Sequence, residues 1–171
     1  MKLTAGETLQ YAIGVVLGYE GGYADNPADP GGETNYGISK RAYPNLDIKA
    51  LTADDAALIY QMDYWRPMAL DQIAVEHPGA ALILLDSAVN QGVAGATRIL
   101  QRAAGVKVDG ILGPRTVEAA RLAKGHQLCR ALTSERLVVY RLIPTFPHFG
   151  RSWVHRTLSS YDLGLELEAG Q

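Results

Sequence analysis

Three residues within fifteen positions have the types and spacing that acid–base chemistry on a polymer needs. Glu20 follows an apolar repeat, Leu9, Ala12, Ile13, Val16 and Leu17, whose spacing predicts a helix over 8–19. On a wheel of about 100° per residue Glu20 falls at the centre of that apolar face. A carboxylate there loses hydration, and the negative end of the helix dipole acts in the same direction; both favour its protonated form. Such a group is a candidate proton donor. Read alone, a helix-end glutamate is more simply a solvent-facing residue, or the partner of a buried arginine; the residues after it favour the chemical reading. Hydrolysis of a glycosidic bond normally needs a second group, a nucleophile or a base toward water. Asp29 lies nine residues after Glu20 and Thr34 fourteen after, in a segment able to fold back over the helix end. Asp25 and Glu33 compete with Asp29 for the second role.

The elements that must position these groups are mostly helical. Gly21-Gly22 ends the first helix, and residues 22–45 are turn chemistry: Asp25-Asn26-Pro27, Asp29-Pro30-Gly31-Gly32 and Asn35-Tyr36-Gly37. A loop or small hairpin this long in a compact domain is often functional. Thr52 caps a helix running to about Tyr64. Pro78 opens another, apolar on every side over Ala80–Leu85 and so a buried central helix, which Gly92 closes. Helices near 95–104, 114–123 and 126–142 follow, and Pro144 and Pro147 precede a last one around 149–160. Asp86 and Asn90 sit one turn apart on the central helix, where an amide needs backbone or sugar partners. The fold expected is mainly α, one unit over 1–171, with a catalytic part over 1–78 and a helical part over 79–160.

Composition narrows the function. At 171 residues the chain fits one domain, and 47% hydrophobic with 20% charged residues is ordinary for a globular protein. Residues 1–78 carry net charge −6 and residues 79–157 net +7. A basic half suits an anionic polymer, or is simply a set of solvated helix faces. His148 and His155 have no carboxylate or thiol at ligand spacing, so neither a metal nor an organic cofactor is expected. Ser87 and Ser134 lack the setting of a nucleophile elbow, and no phosphate loop is present. Cys129 reads as core. No stretch is long enough to span a bilayer, and the N-terminus lacks the form of a signal peptide.

The ordered blocks carry a resemblance. A helix-ending Glu, an Asp nine residues on and a Thr five later is similar to the phage-type lysozyme site, in which the Thr stands one residue further. More closely, Glu20-Gly21-Gly22-Tyr23, Asp29-Pro30-Gly31-Gly32 and Thr34-Asn35-Tyr36-Gly37-Ile38 resemble glycoside hydrolase family 108. Asp86–Gly92, Leu100-Gln101, Val108-Asp109-Gly110 and Gly113-Pro114-Arg115-Thr116 are similar to the helical segment that follows in that family, described as a predicted peptidoglycan-binding region. Trp153 and Arg156 fit its C-terminal pattern more loosely. By turn and helix-start chemistry alone, Asp109-Gly110 and Gly113-Pro114 also have structural reasons.

The resemblance implies a lysozyme-like helical domain with a small turn-rich or β lobe. It implies a muramidase that cuts the β-1,4 bond between N-acetylmuramic acid and N-acetylglucosamine, with Glu20 as acid and Asp29, helped by Thr34, holding or activating water. Tyr23, Tyr36, Asn35 and Asn90 are the expected substrate contacts; Tyr64-Trp65 is a second aromatic pair, as suited to the core as to sugar. The partner expected is peptidoglycan, with no nucleic acid and no stable membrane insertion. A monomeric endolysin would wait in the cytoplasm for a pore-forming holin. A lytic transglycosylase, which forms an anhydro sugar, and a non-catalytic wall-binding protein are the rival readings.

Overall fold

The computed structural model describes residues 3–25 and 32–170. The apolar repeat forms a helix, α1 (Ala5–Tyr19), that begins three residues before the predicted start. Thr4 explains the difference. Its side chain accepts from the Glu7 N–H at 3.2 Å, and Glu7 Oε2 accepts from the Thr4 N–H at 2.8 Å, a reciprocal capping box. After α1 come two short strands, β1 (Thr34–Asn35) and β2 (Ile38–Ser39), paired antiparallel. Then follow α2 (Ala53–Tyr60), a π-helical turn over Gln61–Trp65, α3 (Leu70–Ala74) and α4 (Pro78–Ala103). The chain finishes with α5 (Pro114–Leu122), α6 (Gly125–Arg141) and α7 (Phe146–Ala169). The architecture is mainly α, with a small β lobe after the first helix.

Helix α4 is the axis of the fold, and Ala80–Leu85 is buried on all sides as predicted. It packs against α1 and α3 on the acidic half of the chain and against α6 and α7 on the basic half. Gly92 does not end it. With φ 74° and ψ 157°, that residue leaves helical geometry for one position while helical segments continue on both sides. Glycine alone takes such a φ without a Cβ penalty, so the predicted terminus is a kink instead.

Helix α7 is longer than predicted at both ends. Pro147 falls in its first turn, where no N–H donor is needed, so it starts the helix rather than breaking it. At the far end Glu168 is buried and caps α4 from another helix. Its Oε1 accepts from the N–H groups of Gly79 at 2.9 Å and Ala80 at 3.4 Å. His77 Nδ1 stands 3.5 Å from Glu168 Oε2. The Glu168 contact, outweighing burial, raises the imidazole's pKa above its ordinary value. This clasp ties the end of the chain to the start of the central helix.

Candidate active site

Glu20 is the residue just past α1, and its backbone is already extended (φ −81°, ψ 134°), with its N–H donating to Val16 O at 3.2 Å. The wheel angle therefore stops applying one residue too soon. Leu9, Ile13 and Val16 do face the core, but the Glu20 carboxylate leaves the helix for a rim between the β lobe and α7. There it meets a cation. Arg156 Nη1 donates to Glu20 Oε1 at 2.9 Å, in a pair whose side chains are 21% and 16% exposed. The reading of Glu20 as the partner of an arginine is met, by an arginine that is itself partly exposed.

The β lobe closes the other side of Glu20. Residues 21–24 run back along β1: Tyr36 N donates to Gly21 O at 3.1 Å, and Ala24 and Thr34 exchange both backbone bonds at 2.8 Å. Between the strands lies a two-residue turn, Tyr36 and Gly37, with φ of 51° and 74°. Positive φ at both positions is what the tight hairpin turn with the right twist demands, and at a tyrosine it is strained. Gly37 has a second reason to be glycine. A Cβ there would lie 2.7 Å from Glu20 Oε2 and 2.6 Å from the Tyr60 hydroxyl. The turn is held down by Tyr60, whose hydroxyl donates to Tyr36 O at 2.8 Å. Burial, followed by the negative charge of Glu20, pushes the Tyr60 hydroxyl up, so it remains a donor at physiological pH.

Behind Arg156 stands a second carboxylate. Arg156 Nε donates to Asp86 Oδ1 at 2.7 Å, and Nη2 is as close but not aligned to donate. Asp86 Oδ2 accepts from Arg136 Nη1 at 2.5 Å and from Ser160 Oγ at 2.9 Å. Burial alone would raise the pKa of Asp86, but the two guanidinium groups outweigh it and hold the carboxyl below its usual range. Arg156, whose own charge burial disfavours, is held protonated by Asp86 first and Glu20 second. Its guanidinium also lies 4.8 Å from the centre of the Tyr19 ring. Arg136 Nη2 donates to the Tyr140 hydroxyl at 3.2 Å, and Tyr140 stacks on Trp153. A continuous polar chain runs from the rim into the core: Glu20, Arg156, Asp86, Arg136, Tyr140.

The other candidate residues are distributed unevenly around this centre. Thr34 lies in β1, with both its backbone groups bonded to Ala24. Asp29 lies outside the described residues. Of its competitors, Glu33 accepts from the Tyr23 hydroxyl at 3.2 Å. Tyr23 is 42% exposed, as a surface platform requires, and Tyr36 sits in the turn against Glu20. Asn35, expected to touch substrate, faces inward instead. It is 6% exposed, and its Nδ2 donates to Ile48 O at 3.1 Å and Leu51 O at 3.2 Å, which braces the hairpin. Asn90 finds a backbone partner, donating to Asp86 O at 2.7 Å, while its side chain still forms part of a cleft wall. Trp65 is fully buried and Cys129 is core.

The sequence reading did not assign Tyr60, Arg136 or the ion pair of Arg156 to the site. One signal was present. Asp86 interrupts a helix that is apolar all round, and a buried acid requires buried cations. Among the described residues, no group of three or more His, Cys, Asp or Glu side chains could hold a metal ion. Among the same residues, no helix is long and apolar enough to cross a membrane.

Comparison with known proteins agrees with this geometry. The family described as Glycosyl hydrolase 108 matches residues 13–92, and the family described as Predicted Peptidoglycan domain matches residues 95–157. The boundary between them falls at the Gly92 kink. No curated protein matches the chain in sequence. The solved structure of SagA from Brucella abortus superposes with a TM-score of 0.82 at 33% identity, over 94% of this chain and 95% of that one. The two family matches, with 33% identity to a solved structure over 94% of the chain, place it in glycosyl hydrolase family 108, as a peptidoglycan hydrolase.

Proposed function

We propose that the protein is an N-acetylmuramidase that cleaves the β-1,4 bond between N-acetylmuramic acid and N-acetylglucosamine, with Glu20 as general acid. The observation that carries this reading is the seat of Glu20. One carboxylate oxygen is fixed by Arg156 and the other is backed by the Tyr36–Gly37 turn, at a rim rather than in the core. A general acid must reach the leaving oxygen and must leave a stabilised anion after giving up its proton. Arg156 at 2.9 Å supplies that stabilisation without further rearrangement.

Asp29, with Thr34 beside it in the sequence motif, holds and activates the water on the opposite face of the sugar. The reaction then inverts the anomeric carbon, a mechanism that requires two carboxyl groups about 6.5–9.5 Å apart. The spacing of Asp29, nine residues after Glu20 as in the phage-type lysozyme motif, favours it over Asp25 or Glu33. The biological setting we propose is an endolysin, monomeric and held in the cytoplasm until a pore-forming partner releases it to the wall.

A digest of purified peptidoglycan, analysed by mass spectrometry and NMR, tests the reading. Hydrated reducing-end N-acetylmuramic acid with inverted configuration is the expected product. An anhydro sugar would replace the hydrolase with a transglycosylase, and undiminished wall clearing by Glu20→Gln would remove Glu20 from the chemistry.

A further inference from the structure

Beside Glu20 opens a cleft of about 670 Å³. Tyr19 and Asn90 form one side of it, and His148, Arg151, His155 and Arg156 line it from α7. Two of these walls belong to the catalytic centre, since Tyr19 precedes Glu20 in the chain and Arg156 is its ion-pair partner. The cleft is therefore continuous with the place where the glycosidic bond must lie. Its polar character is one-sided. Among the described residues neither Asp nor Glu lines it, and His148, Arg151 and His155 recur at the three- and four-residue spacing that puts side chains on one helix face. Asp86 and Glu20 already engage Arg156. Arg151 is exposed, and among the described residues it has no acidic partner.

We propose that this cleft binds the peptide stem of the glycan strand, with Arg151 pairing one of its carboxylates and the His148 and His155 imidazoles supplying N–H donors. The proposal rests on the peptidoglycan reading above and adds where on the strand the enzyme reads. The sugars themselves carry no charge once the lactyl group of muramic acid is linked to the peptide. The anionic groups of the intact strand next to the bond being cut are the stem carboxylates. A basic face abutting the acid therefore has one complementary occupant, and a bidentate guanidinium is the side chain suited to it.

The test compares binding of two soluble fragments to the Glu20→Gln protein: a glycan bearing free-carboxylate stems, and the same glycan stripped of its stems by an amidase, with each lactyl carboxylate so released capped as its methylamide. The stem-bearing fragment is expected to bind about tenfold more tightly, as a charge-assisted contact at a partly exposed site allows. Arg151→Gln should abolish that preference while leaving the affinity for the stripped glycan unchanged. The same preference should decline as salt screens the contact.

A control lies in a second cleft of about 590 Å³ lined in part by Lys107, Asp109 and Arg115. Arg115→Gln is expected to leave the preference intact. Equal binding of both fragments, or loss of the preference on Arg115→Gln but not on Arg151→Gln, would overturn the proposal. Failure of the muramidase reading shows separately, as absence of glycan cleavage by the parent protein on either substrate.

Discussion

Arg156 lies between two carboxylates that differ in almost every respect except their distance from it. Glu20 is 2.9 Å away at a rim, is 21% exposed, and has an open cleft beside it. Asp86 is 2.7 Å away, fully buried, and accepts from a second arginine and a serine as well. Burial with complete pairing makes an acid structural, because losing any partner strands a charge in the core. Partial exposure with a single fixed oxygen leaves an acid able to reach substrate. The comparison teaches that the cation serves two ends: Asp86 anchors the arginine, and the arginine positions Glu20.

The largest effect that sharpens this contrast belongs to Glu20→Gln. Loss of the general acid should reduce turnover by about 10²- to 10⁴-fold, with a small change in thermal stability. Turnover on purified walls and a melting curve measure the two. Asp86→Asn should do the reverse in kind. The buried Arg136 guanidinium loses its counter-charge and Arg156 keeps only Glu20, at about 3–5 kcal/mol, and chemical denaturation should record it. Acid titration probes the same pair. The folded-state value of Asp86 is depressed, so its stabilisation is present above the unfolded value of about 3.9 and is lost as pH falls below it.

Gly37→Ala tests the hairpin side of Glu20. A residue with a Cβ at φ 74° costs about 1–2 kcal/mol, and the new carbon would press on the Glu20 carboxylate and the Tyr60 hydroxyl. Activity should therefore fall by more than the lost stability explains, in assays of purified folded protein. The smallest effect lies farthest from the site. The raised value of His77 means that its clasp with Glu168 adds stability below about pH 6.5, which fades as pH rises through the higher folded-state value. Melting curves across that interval should show the fading in the parent and not in His77→Gln.

Much of this molecule was legible in one dimension because its signals are local. The buried central helix follows from an unbroken apolar run, the capped start of α2 at Thr52 from threonine chemistry, and the helix starts at Pro78 and Pro114 from proline geometry. The place of Glu20 at the end of α1 was legible from the end of an apolar repeat and the glycines after it. Boundaries failed where a single residue had two uses. Gly92 ends helices in general but here kinks one, since both flanking segments have faces to bury. Pro147 breaks helices in general but here begins one, because it falls in the first turn.

By itself, then, the sequence determined which residues make helices, that Glu20 stands at the end of the first of them and which family the motifs belong to. Only the tertiary structure decided what surrounds the acid. Arg156 is 136 positions away from Glu20 and Asp86 is 70 away from Arg156, and no periodicity links such distances. Packing of α7 against α4 brings them together, and a folded hairpin turns Asn35 inward while setting Gly37 against the carboxylate. Charge pairing in a low-dielectric interior is a property of neighbours in space, which is why the partners of Glu20 emerge only with the fold.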